Sequence, residues 1–156
     1  MMDIKGIGQE EMDSRTLAYR AGADIARTRM GREAPASAEA LEAVEASDVV
    51  VVAGCYDHVE QVLGALEVPF QVIQQGQLEE VNLRPEQILI VNCPGEMTSG
   101  EIARVRDFVA AGGTLFTTDW ALGNVIEQAF PGHVAYNGKA TGDDVVRIDV
   151  LETDSP

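Results

Sequence analysis

The stretch QILIVNCPGEMTSGEIARVRDFVAAGGTLFTTDWALGNVIEQAF, residues 87–130, decides the fold of this chain. It predicts a strand at 88–92, a helix at 99–111, a second strand at 114–118 and a second helix at 121–130. The first apolar run is short and does not alternate with polar residues, which is typical of a strand buried on both faces of a parallel sheet. Strands that alternate with helices indicate an α/β fold.

Local signals mark both ends of the helix at 99–111. Thr98 and Glu101 have the spacing of a capping box, in which a hydroxyl and a carboxylate satisfy backbone N–H groups at the helix start. Gly112 follows the last turn, where glycine most easily adopts the left-handed conformation that ends a helix. The apolar residues of the helix share one face: Ile102, Val105 and Val109.

The N-terminal part predicts an appended helical arm. Residues 1–12 are expected to form a loose tail, followed by a helix at 13–30, a linker at 31–37 and a short helix that ends near residue 46. The arm either docks on a partner or simply covers one face of the sheet. The first helix has a small, alanine-rich face that suits packing on another element or on a partner chain: Leu17, Ala18, Ala21 and Ile25.

Two further strands are predicted before the central stretch, at 48–53 and 69–74, and a polar loop is predicted at 75–87. After it we expect a short strand at 133–136 and a half-exposed edge strand at 145–151. Right-handed crossovers and short connections favour the strand order 2-1-3-4-5. The predicted fold is therefore α/β, a three-layer, flavodoxin-like, open and mostly parallel sheet with an N-terminal helical extension.

Length and composition indicate one α/β domain at 37–152, preceded by the tail and arm at 1–36 and followed by a tail at 153–156. A chain of 156 residues with 46% hydrophobic residues can bury a core of useful size. Apolar runs stay well below the roughly 18 residues that span a bilayer, and the polar N-terminus does not resemble a secretory signal. We therefore expect a cytoplasmic protein without a membrane segment, in which both cysteines are reduced.

The charge is strongly negative and unevenly distributed. The formal net charge is −15, and residues 1–36 contribute nothing to it because their six bases balance six acids. All of the excess negative charge belongs to residues 37–156, which would repel a phosphate backbone. We therefore predict no nucleic-acid partner and interpret the acidic surface as a means of solubility or as a site for basic partners.

Three loops are expected to meet at the carboxyl edge of the sheet, at 54–58, 92–96 and 118–120. In the predicted strand order this edge contains the switch point where α/β proteins bind ligands. The loops contain both cysteines, the only tryptophan and one of two histidines. The candidate ligand-binding residues are Cys55, Tyr56, Asp57, His58, Asn92, Cys93, Gly95, Asp119 and Trp120.

Each candidate also has a structural interpretation. Asp57 and Asp119 stand where helices begin, so either carboxylate can be an N-cap. Cys55 or Cys93 is either a thiol activated by a helix N-terminus or a small buried residue at a strand end. Trp120 is either a stacking platform or part of the core. His58 is either a base or a surface residue, and a Cys-Cys-His-Asp metal site lacks tight ligand spacing, so no metal or other cofactor is predicted.

The turn Pro94-Gly95 precedes a helix whose N-terminus is expected to be free. Backbone N–H groups there could bind an anion, or an oxyanion if the Gly95 N–H is the donor.

The order of these segments resembles the class I glutamine amidotransferase-like superfamily over residues 48–138. Cys55-Tyr56-Asp57-His58 resembles the family's early strand end and its Tyr-Asp turn, and Asn92-Cys93-Pro94-Gly95 stands where the family has its oxyanion loop. The segment 113–138 is similar to the family's nucleophile strand, the following helix and the next strand. The resemblance implies the same α/β architecture and places residue 119 at the nucleophile position.

The chain departs from the family at the residues that carry catalysis. In place of Gly-x-Cys-x-Gly it has TTDWA at 117–121, and no glutamate follows His133 two residues later. The resemblance is therefore to the non-catalytic members, which include domains of gliding and intraflagellar-transport proteins. It implies a catalytically inactive module that binds a protein or a small ligand.

Two hypotheses follow. In the first, the inactive module binds a partner protein, through the N-terminal helices or as a homo-oligomer, or else a small ligand. In the second, the chain is a hydrolase with a rebuilt site that uses Asp119 or Cys93 with His58 as the base.

Overall fold

The computed structural model describes residues 9–139 together with residues 142, 145 and 147. Its helices and strands, in chain order, are α1 (Gln9–Glu33), α2 (Pro35–Glu42), β1 (Val49–Val52), α3 (Val59–Ala65), β2 (Gln71–Ile73), β3 (Ile88–Val91), α4 (Ser99–Ala110), β4 (Thr114–Thr117) and α5 (Glu127–Ala129). A 3₁₀ turn, Leu78–Glu80, precedes β3, and one π-helical turn, Leu122–Ile126, leads into α5.

The four described strands form one parallel sheet in the order β2-β1-β3-β4. Each central pairing runs in register over four residues, with Val50 opposite Leu89 and Leu89 opposite Leu115. The open α/β, flavodoxin-like prediction is confirmed, including the first four positions of the predicted strand order.

The sheet has a core on each face because alternate residues of β1 point to opposite sides. Val50 and Val52 pack with α4 and α5 on one face, whereas Val49 and Val51 pack on the other. That second face is covered by Leu63 of α3 and by Val44, which follows α2. The layers are therefore helix, sheet and helix, with α3 and α4 on opposite sides.

Helix α4 forms as its sequence signals predict. Thr98 Oγ1 accepts from the Glu101 N–H, and the Glu101 carboxylate accepts from the Thr98 N–H at 2.9 Å, which is a complete capping box. Gly112, with φ of +105°, ends the helix in a conformation that disfavours any other residue. The predicted apolar face is also confirmed, because Ile102 and Val105 are buried and Val109 packs against the same core.

The segment predicted as a polar loop at 75–87 is more ordered than its composition indicates. Leu78 is fully buried at the start of the 3₁₀ turn. Its N–H donates to the second oxygen of the Glu101 carboxylate at 3.1 Å, so one buried side chain joins this turn to the start of α4.

The predicted strand at 133–136 is wrong. Residues 134–137 pair with no strand in the described part of the chain. The Tyr136 N–H instead lies 3.5 Å from the Glu127 carboxylate, and the Tyr136 ring packs on Trp120. The predicted edge strand at 145–151 lies outside the described residues, apart from positions 145 and 147, which belong to no strand.

Helix α1 is longer than predicted, and the face that packs against the rest of the chain is not the predicted one. It begins at Gln9 inside the predicted tail, and only Ala34 separates it from α2, so the predicted linker at 31–37 is almost absent. Helix α1 packs on α2 and α3. Ala23 is buried there, and the Arg27 guanidinium donates to the Leu66 carbonyl at 3.1 Å.

The face predicted to pack, with Leu17, Ala18, Ala21 and Ile25, is exposed instead. Among the described residues, no helix is both long enough and apolar enough to cross a bilayer.

Candidate functional site

The three loops of the carboxyl edge meet at Cys93. Its carbonyl accepts from the Cys55 N–H at 3.0 Å, and the Tyr56 N–H lies 3.5 Å from the same oxygen. Its own N–H donates to Thr118 Oγ1 at 3.0 Å. A Cβ on Gly54 would lie 2.3 Å from the Cys93 carbonyl oxygen, so the first loop can approach this closely only because residue 54 is glycine.

The Cys93 thiol is buried between two carboxylates. Its Sγ lies 3.6 Å from Asp119 Oδ2, and Asp57 Oδ2 lies 3.4 Å from the Cys93 N–H. Burial raises the pKa of this thiol above its usual 9.0, and the negative charges of Asp57 and Asp119 raise it further. The backbone N–H of Trp120 donates to the sulfur, which lowers the pKa and partly opposes these effects. The thiol is therefore neutral at pH 7 and a poor nucleophile.

Asp119 occupies the sharp bend between β4 and the helical turn that follows. Its φ is +43°, a left-handed conformation that aspartate tolerates better than most residues. The predicted N-cap role is wrong, because residue 121 precedes the first helical residue and no side chain caps that helix. The exposed Asp119 carboxylate is instead directed to the Cys93 thiol.

Asp57 is not an N-cap either. His58 occupies that position in α3 without a side-chain cap, because the hydrogen bonds of the loop go elsewhere. His58 Nδ1 lies 3.0 Å from Glu60 Oε1, and Glu60 Oε2 accepts from Asn92 Nδ2 at 2.8 Å. Asn92 is fully buried and accepts from the Val59 N–H, so it joins the end of β3 to the start of α3.

This network keeps the predicted catalytic residues in two groups. Cys93 and Asp119 are in contact, whereas the described hydrogen bonds of His58 include Glu60 and neither Cys93 nor Asp119. Sequence reasoning missed Glu60 and Thr118, although both stand on or beside the predicted loops. The polar type of Asn92, directly after an apolar strand, is the one signal that could have indicated a buried partner such as Glu60.

The Pro94-Gly95 turn packs against the last helix. Gly95 is buried with φ of +68°, and a Cβ there would lie 2.8 Å from the Ala121 Cβ. The Pro94 carbonyl accepts from Asn124 Nδ2 at 2.7 Å.

The prediction of a free helix N-terminus after this turn is wrong. Thr98 and Glu101 cap α4, and the carboxylate of Glu79 lies against Thr98 Oγ1 at 2.9 Å. An anion would meet negative charge there rather than open N–H groups.

Exposed aromatic rings surround the point where the loops meet. Tyr56 is 74% exposed and Trp120 is 52% exposed. The Trp120 ring lies 5.6 Å from the ring of Tyr136, which the sequence had indicated only as part of a strand. Within the described part of the chain, neither Asp57 nor Asp119 forms an ion pair with a base. The edge thus combines exposed rings with two carboxylates that form no ion pair with the bases of the described residues.

Metal binding has little support at this edge. In the described residues, no group of three histidine, cysteine, aspartate or glutamate side chains is arranged to hold a metal ion. Comparison of the chain with protein-family models, with curated protein sequences and with solved structures finds no match.

Proposed function

We propose that this chain is a catalytically inactive amidotransferase-like domain that binds a partner protein through the carboxyl edge of its sheet. The observation that carries the proposal is the bend at Asp119. In the resemblance described above this is the nucleophile position, and here it has a carboxylate that accepts from a buried, neutral thiol. The alternative hydrolase, with Asp119 or Cys93 and His58, has less support because His58 is hydrogen-bonded to Glu60 instead.

The chemistry of the edge favours a basic partner. Tyr56 and Trp120 are exposed, and aromatic rings attract lysine and arginine side chains. Asp57 and Asp119 are their neighbours in the sequence, both contact Cys93, and they add negative charge. Arginine is common at protein interfaces, where it pairs with aromatic rings and carboxylates. A small cationic ligand would use the same groups.

The fluorescence of Trp120, the only tryptophan of the chain, tests the proposal directly. We expect an arginine- and lysine-containing peptide to change this fluorescence saturably, and an acidic peptide of equal length to leave it unchanged. Asp119→Asn should weaken binding of the basic peptide. Phe116→Ala serves as the control, because Phe116 is exposed on β4 outside the loops that meet at Cys93. Equal binding of both peptides would contradict the proposal.

Catalysis is tested separately. We expect no ammonia release from glutamine, and any ester hydrolysis by the protein should survive both Cys93→Ala and His58→Ala as a background reaction. Glutaminase activity, or hydrolysis that either variant abolishes, would show that the chain is an enzyme and would contradict the proposal. The proposal needs no cofactor, and we place the protein in the cytoplasm.

A further inference from the structure

Helix α1 presents an apolar face that the rest of the chain does not cover. Leu17 is 66% exposed and Ile25 is 69% exposed, and Ala18 and Ala21 between them are exposed as well. At 100° per residue these four side chains share one face. Large apolar side chains grouped in this way on a long surface helix are typical of an interaction surface.

The opposite face of the same helix holds it in place. Ala23 is buried, and Arg27 donates both to the Leu66 carbonyl and to the Glu42 carboxylate. The exposed face is therefore presented outward on a helix that is already attached to α2 and α3. Binding there needs no rearrangement of the domain.

The distribution of charge along α1 is self-complementary in the antiparallel sense. By sequence, residues 9–13 contain three acids and no base, whereas residues 28–33 contain two arginines and one acid. Arg27 is left out because it belongs to the opposite face and pairs with Glu42. Two copies in antiparallel orientation bring each acidic end against the basic end of the other, whereas a parallel pair brings like charges together. Arg29 and Arg32 now pair with Glu33, but these pairs are exposed and exchange partners at little cost.

The apolar residues have the same symmetry. Leu17 and Ile25 stand four positions before and four positions after Ala21, so a two-fold axis at Ala21 places Leu17 of each copy opposite Ile25 of the other. The small side chain of Ala21, followed by Gly22, allows the helices to approach closely at the axis. A groove of about 350 Å³ lies over the C-terminal half of the same helix, lined by Asp24, Ile25, Thr28, Arg29 and Arg32.

We propose that two copies of this chain associate through an antiparallel pair of α1 helices, with the two-fold axis at Ala21. The groove beside Arg29 and Arg32 then receives the acidic N-terminal end of the second copy. The inference goes beyond the proposed function because it concerns a surface other than the carboxyl edge. This dimer would leave the carboxyl edge of the sheet in each copy available for a partner.

Sedimentation velocity of the full chain tests the association. We expect a concentration-dependent dimer that Leu17→Glu combined with Ile25→Glu weakens by about tenfold or more. Ala26→Glu is the matched control, since Ala26 is exposed but lies outside this face. Both changes are at exposed positions, so circular dichroism should report an unchanged fold. A chain that stays monomeric at every concentration, or a dimer that the double substitution leaves intact, would overturn the inference.

Cysteine cross-linking tests the orientation. In a Cys55→Ser background, Ala21→Cys should form a disulfide-linked dimer under mild oxidation, because the two copies of residue 21 meet at the axis. Leu17→Cys alone should not link to itself, but it should link when mixed with Ile25→Cys. Self-linking by Leu17→Cys would show a parallel pair and overturn the proposal. Peptide binding at Trp120 should be the same in the Leu17→Glu and Ile25→Glu double variant as in the unchanged chain, so a failure here is distinct from a failure at the edge.

Discussion

Helices α4 and α1 show how differently two parts of one chain can obey their sequence signals. Helix α4 buries the face that its pattern predicts, with Ile102 and Val105 in the core, whereas α1 exposes the face with Leu17 and Ile25. In α4 the capping box and the terminal glycine define both ends of the helix, and the apolar face specifies the side that meets the sheet. In α1 alanine and arginine stabilise the helix without deciding which side is covered. Agreement among several signals is therefore more reliable than any single pattern.

The largest expected effect compares a leucine-to-alanine substitution in the core on which α4 packs with the same substitution on the exposed face of α1. Leu89→Ala should lower the free energy of unfolding by about 3 to 4 kcal/mol, because Leu89 is fully buried and its removal leaves a cavity. Leu17→Ala should change it by less than about 0.5 kcal/mol in dilute solution. Urea unfolding of both variants measures the difference. Similar losses in the two variants would mean that α1 is part of the core.

The second comparison concerns one buried carboxylate. Glu101→Ala should cost about 2 to 3 kcal/mol, because it removes half of the capping box and leaves the buried N–H of Leu78 without its partner. Glu96→Ala is the control, since Glu96 is exposed. Thermal and urea unfolding should both show the difference, and equal stability of the two variants would mean that another acceptor replaces the carboxylate.

The free energy of unfolding at alkaline pH should depend on the buried Cys93 thiol. Because the pKa of Cys93 is raised above 9.0 in the folded protein, the unfolded chain loses its thiol proton first as the pH rises. The stability that the neutral thiol contributes is thus present below about pH 9 and is lost as the pH rises through the folded pKa. Between about pH 7.5 and about pH 10, the wild-type protein should therefore lose more of its free energy of unfolding than Cys93→Ala does, as urea unfolding at each pH would measure.

Cys55 supplies a contrast in thiol accessibility. It is exposed, whereas Cys93 is buried. Alkylating reagents should modify Cys55 in the native protein, and they should reach Cys93 only at the rate of unfolding. Rapid native labelling of Cys93 near pH 6 would indicate an activated thiol and would contradict the raised pKa.

The smallest expected effect concerns the attachment of α1. Arg27→Lys removes the forked donor that reaches both Leu66 and Glu42, and should cost less than about 1 kcal/mol because the site is partly exposed. Hydrogen exchange is more sensitive, and should become faster in α1 while α4 is unaffected. Arg20→Lys, at an exposed position, should leave exchange unchanged. Equal acceleration in α1 and α4 would mean that the arm and the sheet domain unfold together.

The location of the candidate site could be predicted from the sequence, whereas the contacts within it could not. Parallel strands put their carboxyl ends at one edge, so the meeting of the three loops follows from the fold class. The roles within the loops depend on which side chains meet in the folded protein. Asp57 and Asp119 have the sequence position of N-caps, but both turn towards Cys93, and His58 is held by Glu60 across the start of α3.

The sequence by itself determined the order of helices and strands up to residue 130, the ends of α4 and the edge where the loops meet, because these depend on neighbouring residues and on the pattern of apolar positions. Only the tertiary structure decided that the thiol of Cys93 is neutral between two carboxylates, that Tyr136 packs on Trp120, and that α1 turns Leu17 outward. These features depend on contacts between residues distant in the chain, and a local pattern does not specify which distant surface a side chain meets.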